Sequence, residues 1–160
     1  MATLTGINPR IVKDNGTPVE FVEHNILNGE SWSAGQFLNL NNDGLLIESV
    51  DGSVLLQFLA VTGQADPGNS TTAAKVAVLR SDLVLEMHDL DGTIPASAKG
   101  TNFKMDLSSN LCSIDVDTVS TPSLKIVQIG FEYDSLANNS ADTLARCRVQ
   151  VLSSVIDSAK

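Results

Sequence analysis

Apolar and polar residues alternate one for one through much of this chain, and the 3.6-residue spacing of a helix is nearly absent. The clearest case is residues 146–151. Cys147, Val149 and Val151 fall on one face of a predicted strand, and Arg146, Arg148 and Gln150 on the other. Cys112 to Asp117 alternates as strictly, with Ile114 and Val116 opposite Asp115 and Asp117. Phe103 to Leu107 repeats the pattern, as does the polar half of Leu83 to His88. Leu124 to Tyr133 is a longer β-rich run, with Ile129, Phe131 and Tyr133 on one side and Gln128, Gly130 and Glu132 on the other. Such strands belong to antiparallel sheets with one wet and one dry face.

Upstream the predicted strands are shorter and more apolar: Val19–Val22, Gln36–Leu40, Gly44–Ile47, Val54–Val61 and Lys75–Leu79. Turn chemistry separates them. Asn15-Gly16, Asn28-Gly29, Asp43-Gly44, Asp51-Gly52 and Asp91-Gly92 all tolerate positive φ and mark hairpins. Helix signals are confined to short turns at Ser70–Lys75 and Ser140–Ala145. The expected fold is all-β: a small antiparallel β-barrel or β-sandwich with few or no helices. Residues 1–18, with Pro9 and Pro18 and no alternation, read as an extended N-terminal arm. Residues 19–160 read as one β domain, with a soft subdivision at the loop-forming run 63–72.

Composition then narrows the function classes. The chain has 160 residues, enough for a real core, and 10 Lys and Arg against 19 Asp and Glu give a formal charge of −9. So acidic a chain offers no broad basic face for a phosphate backbone, and no nucleic-acid partner is expected. No apolar run is long enough to span a bilayer by helix, and no membrane partner is expected. The first residues lack the charge and apolar stretch of a signal peptide, so synthesis and residence in the cytosol are expected. Cys112 and Cys147 fit neither a zinc nor a redox spacing and read as free thiols.

Catalytic signatures are not found in the sequence. His88-Asp89-Leu90-Asp91 groups ligand types but reads as a strand end running into a turn, because no third ligand is placed. Asn39-x-Asn41-x-Asp43-Gly44 imitates a calcium loop, yet its twelfth position is Val50 rather than a bidentate carboxylate. Asp115 and Asp117 share a strand face that alternation makes the solvated one. No catalytic residue, metal or cofactor is expected. Trp32, in a Gly-rich loop, is either an interface anchor or a plug at one end of the β structure. Arg146 and Arg148, on the polar face of the last strand, pair within the chain or reach an acidic partner.

Several short segments together carry a family resemblance. They are Asn28-Gly29-Glu30…Gly35-Gln36, Asp43-Gly44-Leu45-Leu46, Leu59-Ala60-Val61-Thr62-Gly63-Gln64, Ile126-Val127-Gln128-Ile129-Gly130-Phe131 and Arg148-Val149-Gln150-Val151-Leu152. Over roughly residues 20–152 the chain resembles the capsid decoration, or head cement, proteins of tailed bacteriophages. A family member usually has a Gly between the last two strands, where this chain has Leu136 to Asp142. The resemblance implies a non-enzymatic structural protein of the virion, on the outer capsid surface. Its partners would be the major capsid protein and further copies of itself, a trimer more than a dimer. Leu4, Ile7, Pro9 and Ile11 of the arm, with Trp32, Arg146 and Arg148, are then the candidate contacts. The rival readings are a ligand- or receptor-binding β module, which so few aromatic residues disfavour, and a tail or baseplate component.

Overall fold

A computed structural model of the chain describes residues 8–50, 55–89, 94–108, 111–129 and 145–157. Its strands, in chain order, are β1 (Arg10–Lys13), β2 (Phe21–Asn25), β3 (Phe37–Leu40), β4 (Leu46–Glu48), β5 (Phe58–Ala60), β6 (Ala73–Val78), β7 (Val84–His88), β8 (Asn102–Ser108), β9 (Leu111–Asp115), β10 (Leu124–Ile129) and β11 (Arg146–Val151). A 3-10 turn covers Ala96–Ala98, and one short helix, α1 (Ser153–Asp157), follows β11. The strands form two antiparallel sheets, β1-β7-β11-β10-β8-β9 and β2-β6-β5-β3-β4. The sheets pack on each other as a small β-sandwich, one of the two all-β forms that the alternation predicts; no closed barrel is formed by the described strands.

Alternation settles which residues enter the core. In β11, Cys147, Val149 and Val151 are buried while Arg146, Arg148 and Gln150 are half-buried on the other face. β10 departs from strict period two. A bulge between Ile126 and Gln128 lets Leu124, Ile126 and Ile129 all face the core, although Ile126 and Ile129 are three apart. The remainder of the predicted strand, 130–133, lies outside the described residues. The predicted turn at Ser70–Lys75 differs too: β6 already begins at Ala73, because Asn69 closes the preceding loop. Its Oδ1 accepts the backbone N–H groups of Thr71 at 2.9 Å and Thr72 at 3.0 Å. The predicted turn at 140–145 falls almost wholly outside the described residues.

Of the short apolar strands upstream, β3, β5 and the second half of β6 are buried on both faces. Phe37, Leu59 and Ala77 face the six-stranded sheet and join the main core with Leu85, Met105, Ile126 and Val149. Their chain neighbours Leu38, Phe58, Ala60 and Val76 face the other way and form a second core with Ile26 and Trp32. A strand buried on both faces needs no polar alternation, which explains the continuous apolar runs.

Two crossings carry the chain between layers, one from β1 to β2 and one from β6 to β7. Part of the segment read as an extended arm is built into the sandwich. Arg10–Lys13 is the edge strand beside β7, with its register broken between Ile11 and Lys13. Just before it, Asn8 Oδ1 accepts the Cys112 N–H of β9 at 2.7 Å. The run 63–72, read as a soft boundary, connects β5 and β6, which pair directly.

Candidate interaction surface

No group of three His, Cys, Asp or Glu side chains able to hold a metal occurs among the described residues. The motifs that raised such chemistry have structural employment. His24 lies against Phe58, with ring centroids 5.3 Å apart. His88 sits opposite Arg146 in the β7–β11 ladder. Asp115 Oδ1 accepts the Asp117 N–H at 2.9 Å, a turn at the end of β9. Within the calcium-loop look-alike, Asn41 Oδ1 accepts the N–H groups of Asp43 at 2.9 Å and Leu45 at 3.0 Å. Asn39 accepts the Ser49 hydroxyl at 2.9 Å and is buried. That segment is the β3–β4 hairpin turn. Both thiols are free and buried. Burial pushes the Cys112 thiol up to about 12, aided by the carboxylates of Glu48 and Asp106. Burial also raises Cys147, with Asp89 and Glu86 adding to it, so both thiols are protonated at neutral pH.

The residues nominated from sequence as contacts do not converge on one surface. Leu4 and Ile7 lie outside the described residues. Pro9 is buried, and Ile11 is half-buried against the main core. Trp32 is only 5% exposed and exchanges two backbone hydrogen bonds with Gln64, at 2.9 and 2.8 Å. Its ring joins the second core with Ile26, Leu38 and Phe58. Arg146 and Arg148 share a face of β11, and Arg148 Nη1 donates to Gln128 Oε1 at 3.2 Å. Across β7, Arg148 stands opposite Glu86, and Glu86 opposite Arg10. Arg10 donates to Glu86 Oε1 through Nε at 3.2 Å and Nη2 at 2.9 Å. The intramolecular reading therefore holds for the Arg148 guanidinium. Neither Arg10 nor Glu86 stands out in the sequence, because their pairing depends on β1 joining the sheet.

The residues that carry the family resemblance do meet in space. Glu30 Oε2 accepts the Glu48 N–H of β4 at 2.8 Å, and Gln36 Nε2 donates to Glu48 Oε1 at 2.7 Å. Gly35 N–H donates to the Ala60 carbonyl and Ala60 N–H to that of Gln36, both at 2.9 Å. Two of the three upstream motifs, 28–36 and 59–64, are thus bonded together, and Glu30 and Gln36 tie the first of them to Glu48 of β4. The two downstream motifs are adjacent strands, Ile126 opposite Val149 and Gln128 opposite Arg148.

Charge is sorted by layer. Described residues 19–50 and 55–78 hold Glu20, Glu23, Glu30, Asp43, Glu48 and Asp66 against Lys75 alone. The other described residues hold eight Lys and Arg against eight Asp and Glu, so the excess of acid lies with the five-stranded layer. On the flank where edge strands β1 and β2 lie, Ile11, Val12, Lys13, Asp14 and Val19 line a shallow open depression. Beyond Val19, Phe21 is 49% exposed with Lys75 Nζ 5.0 Å from its ring centre. Comparison with known protein families, curated proteins and solved structures finds no match to this chain.

Proposed function

We propose that this protein is a structural component of a phage virion that binds the outer surface of the assembled capsid and cements it against the pressure of packaged DNA. The reading rests on one observation. The short segments that resemble head cement proteins fall in two bonded groups: Gly35 and Gln36 share backbone hydrogen bonds with Ala60, and the strands of Ile126 and Val149 pair directly. The partners in this reading are the major capsid protein, at junctions between its subunits, and further copies of this chain, as a trimer. A protein that binds only the assembled shell stabilises it by mass action, and repetition over many junctions multiplies a modest affinity. A net charge of −9 keeps such a protein off the packaged genome.

The test is the copy number of this chain in purified particles, relative to the major coat protein, by quantitative mass spectrometry. A ratio near one per coat subunit, or a simple fraction such as one third, is expected. A few copies per particle would make it a tail or vertex protein and overturn the reading. Absence from particles would overturn it in favour of a ligand-binding module.

A further inference from the structure

Among the described residues the two sheets have four edges, and three carry a device that hinders another strand from adding. At β4, the Leu46 carbonyl accepts the Leu27 N–H at 3.0 Å and the Glu48 N–H is held by Glu30 at 2.8 Å. At β9, the Asn8 side chain caps the Cys112 N–H. At β1, the ladder is only four residues long and broken by a bulge. Caps, bulges and short edges are the usual means by which proteins blunt exposed strands. The fourth edge, β2, has none of these. Its register with β6 runs unbroken from Phe21 opposite Ala77 to Asn25 opposite Ala73.

The phase of that ladder shows which groups are available. The Glu20 carbonyl accepts the Val78 N–H at 2.9 Å, and the Ile26 N–H donates to Thr72 at 2.8 Å. Even-numbered residues therefore point their backbone groups at β6, while Phe21, Glu23 and Asn25 point theirs outward. All three residues are exposed, and no described residue pairs with their outward N–H and C=O groups. We propose that the outer edge of β2 is the docking edge of this protein and takes an extended, basic segment of the coat subunit as an added strand. The identity of that partner rests on the functional reading above.

The chemistry of the occupant follows from what flanks the edge. On one face Val22 and His24 are half-buried beside the second core, so the incoming strand places apolar side chains there and lengthens that core. The other face carries exposed Phe21 and Glu23; Lys75, opposite Glu23, lies over the Phe21 ring, and no ion pair holds Glu23 among the described residues. A second copy of β2 paired about Glu23 would set the two Glu23 carboxylates against each other, which like-charge repulsion opposes. A strand alternating apolar with Lys or Arg satisfies both faces.

The experiment measures binding of the full chain to shells purified without it. Hydrogen exchange is followed at Phe21, Glu23 and Asn25, and the variants are Glu23→Pro and Glu23→Lys. The Glu23 N–H faces outward, so proline removes no bond to β6 but blocks an incoming strand. The wild type is expected to bind, with those three amides slowed. E23P is expected to bind at least about tenfold more weakly at unchanged melting temperature. E23K should also bind more weakly, with a reduced dependence on salt. Should E23P fold poorly, the wild-type exchange pattern decides. Wild-type binding with the three amides as fast as in the free chain overturns the docking edge alone. Failure of the wild type to bind shells overturns the functional reading, and this occupant with it.

Discussion

Arg80 was not conspicuous in the sequence, yet it holds both crossings between the layers. Its Nη2 donates to the carbonyls of Asp14 at 3.2 Å and Thr17 at 3.0 Å, and its Nη1 to that of Pro18 at 3.2 Å. Those carbonyls belong to the β1–β2 crossing, while Arg80 itself and its partner Asp82, 2.9 Å away, belong to the β6–β7 crossing. The planar fork of donors reaches several acceptors at once, which a lysine cannot reproduce. Arg80→Ala is expected to lower stability by about 1–2 kcal/mol, chiefly through the carbonyl contacts, because water replaces part of each bond at this partly exposed site. R80K should recover only part of the loss. The pair with Arg80 holds the Asp82 carboxyl below its usual 3.8. A carboxylate with a lowered folded pKa stabilises above the unfolded value, and that contribution fades as pH falls below 3.8 through the folded one. Urea unfolding of wild type and R80A should therefore show a difference in stability that is constant at neutral pH and narrows in acid. A constant difference down to pH 2 would place the whole effect on the carbonyls.

At the scale of elements, the N-terminal segment shows how a short sequence is fixed by distant ones. Asn8 and Pro9 lie against Gly35, where a Cβ would come within 2.7 Å of the Pro9 carbonyl oxygen and 2.8 Å of Asn8 Cβ. Gly35 also has φ +84, a conformation that side chains rarely adopt. Gly35→Ala is expected to cost about 1–3 kcal/mol by denaturant unfolding and to speed exchange of the Cys112 amide, as Asn8 is displaced. An unchanged Cys112 amide would separate the cap from the Gly35 contact. This also explains what the sequence reveals at this scale and what it hides. β11 is legible to the residue because one face meets the core and the other does not, so Arg146 to Val151 carries the full alternation. β10 is half legible, since the bulge at Val127 reverses the parity that period two relies on. β1 is illegible: four residues with a register break provide no pattern, and their strand state comes from β7 rather than from themselves. The nominated contacts fared in the same way. Trp32 and Pro9 were conspicuous by residue type, whereas the open edge at β2 depends on which strands lack a neighbour, a property of topology that no local window contains.

The described residues form two hydrophobic cores that share the strands of one sheet. The cores are separated by a single sheet, and neighbouring residues of the same strand serve different cores: Phe37 and Leu38, Phe58 and Leu59, Val76 and Ala77. Losing the second core exposes Leu38, Phe58 and Val76, but the strands bearing them cannot leave without withdrawing Phe37, Leu59 and Ala77 from the main core. Full burial of a Val, Leu or Phe side chain stabilises by roughly 1.5–3 kcal/mol, so losing those of both sets would cost about as much as the whole net stability of a small domain. The loop over 63–72 adds to this coupling. Asp66 Oδ1 accepts the Gly29 N–H at 2.9 Å, and Ser70 Oγ accepts that of Asn28 at 3.0 Å, so the segment between Ile26 and Trp32 is bonded to the connection between β5 and β6. Trp32 is the one tryptophan of the chain and lies in the second core, which gives that core its own optical signal. Thermal unfolding followed by tryptophan fluorescence should coincide with that followed by far-ultraviolet circular dichroism, which is dominated by the strands of both sheets. The amides of β11 should then exchange only through the same global opening. Fluorescence melting several degrees earlier would mean that the second core opens as a separate unit, and that the five-stranded sheet keeps its place on the main core without it.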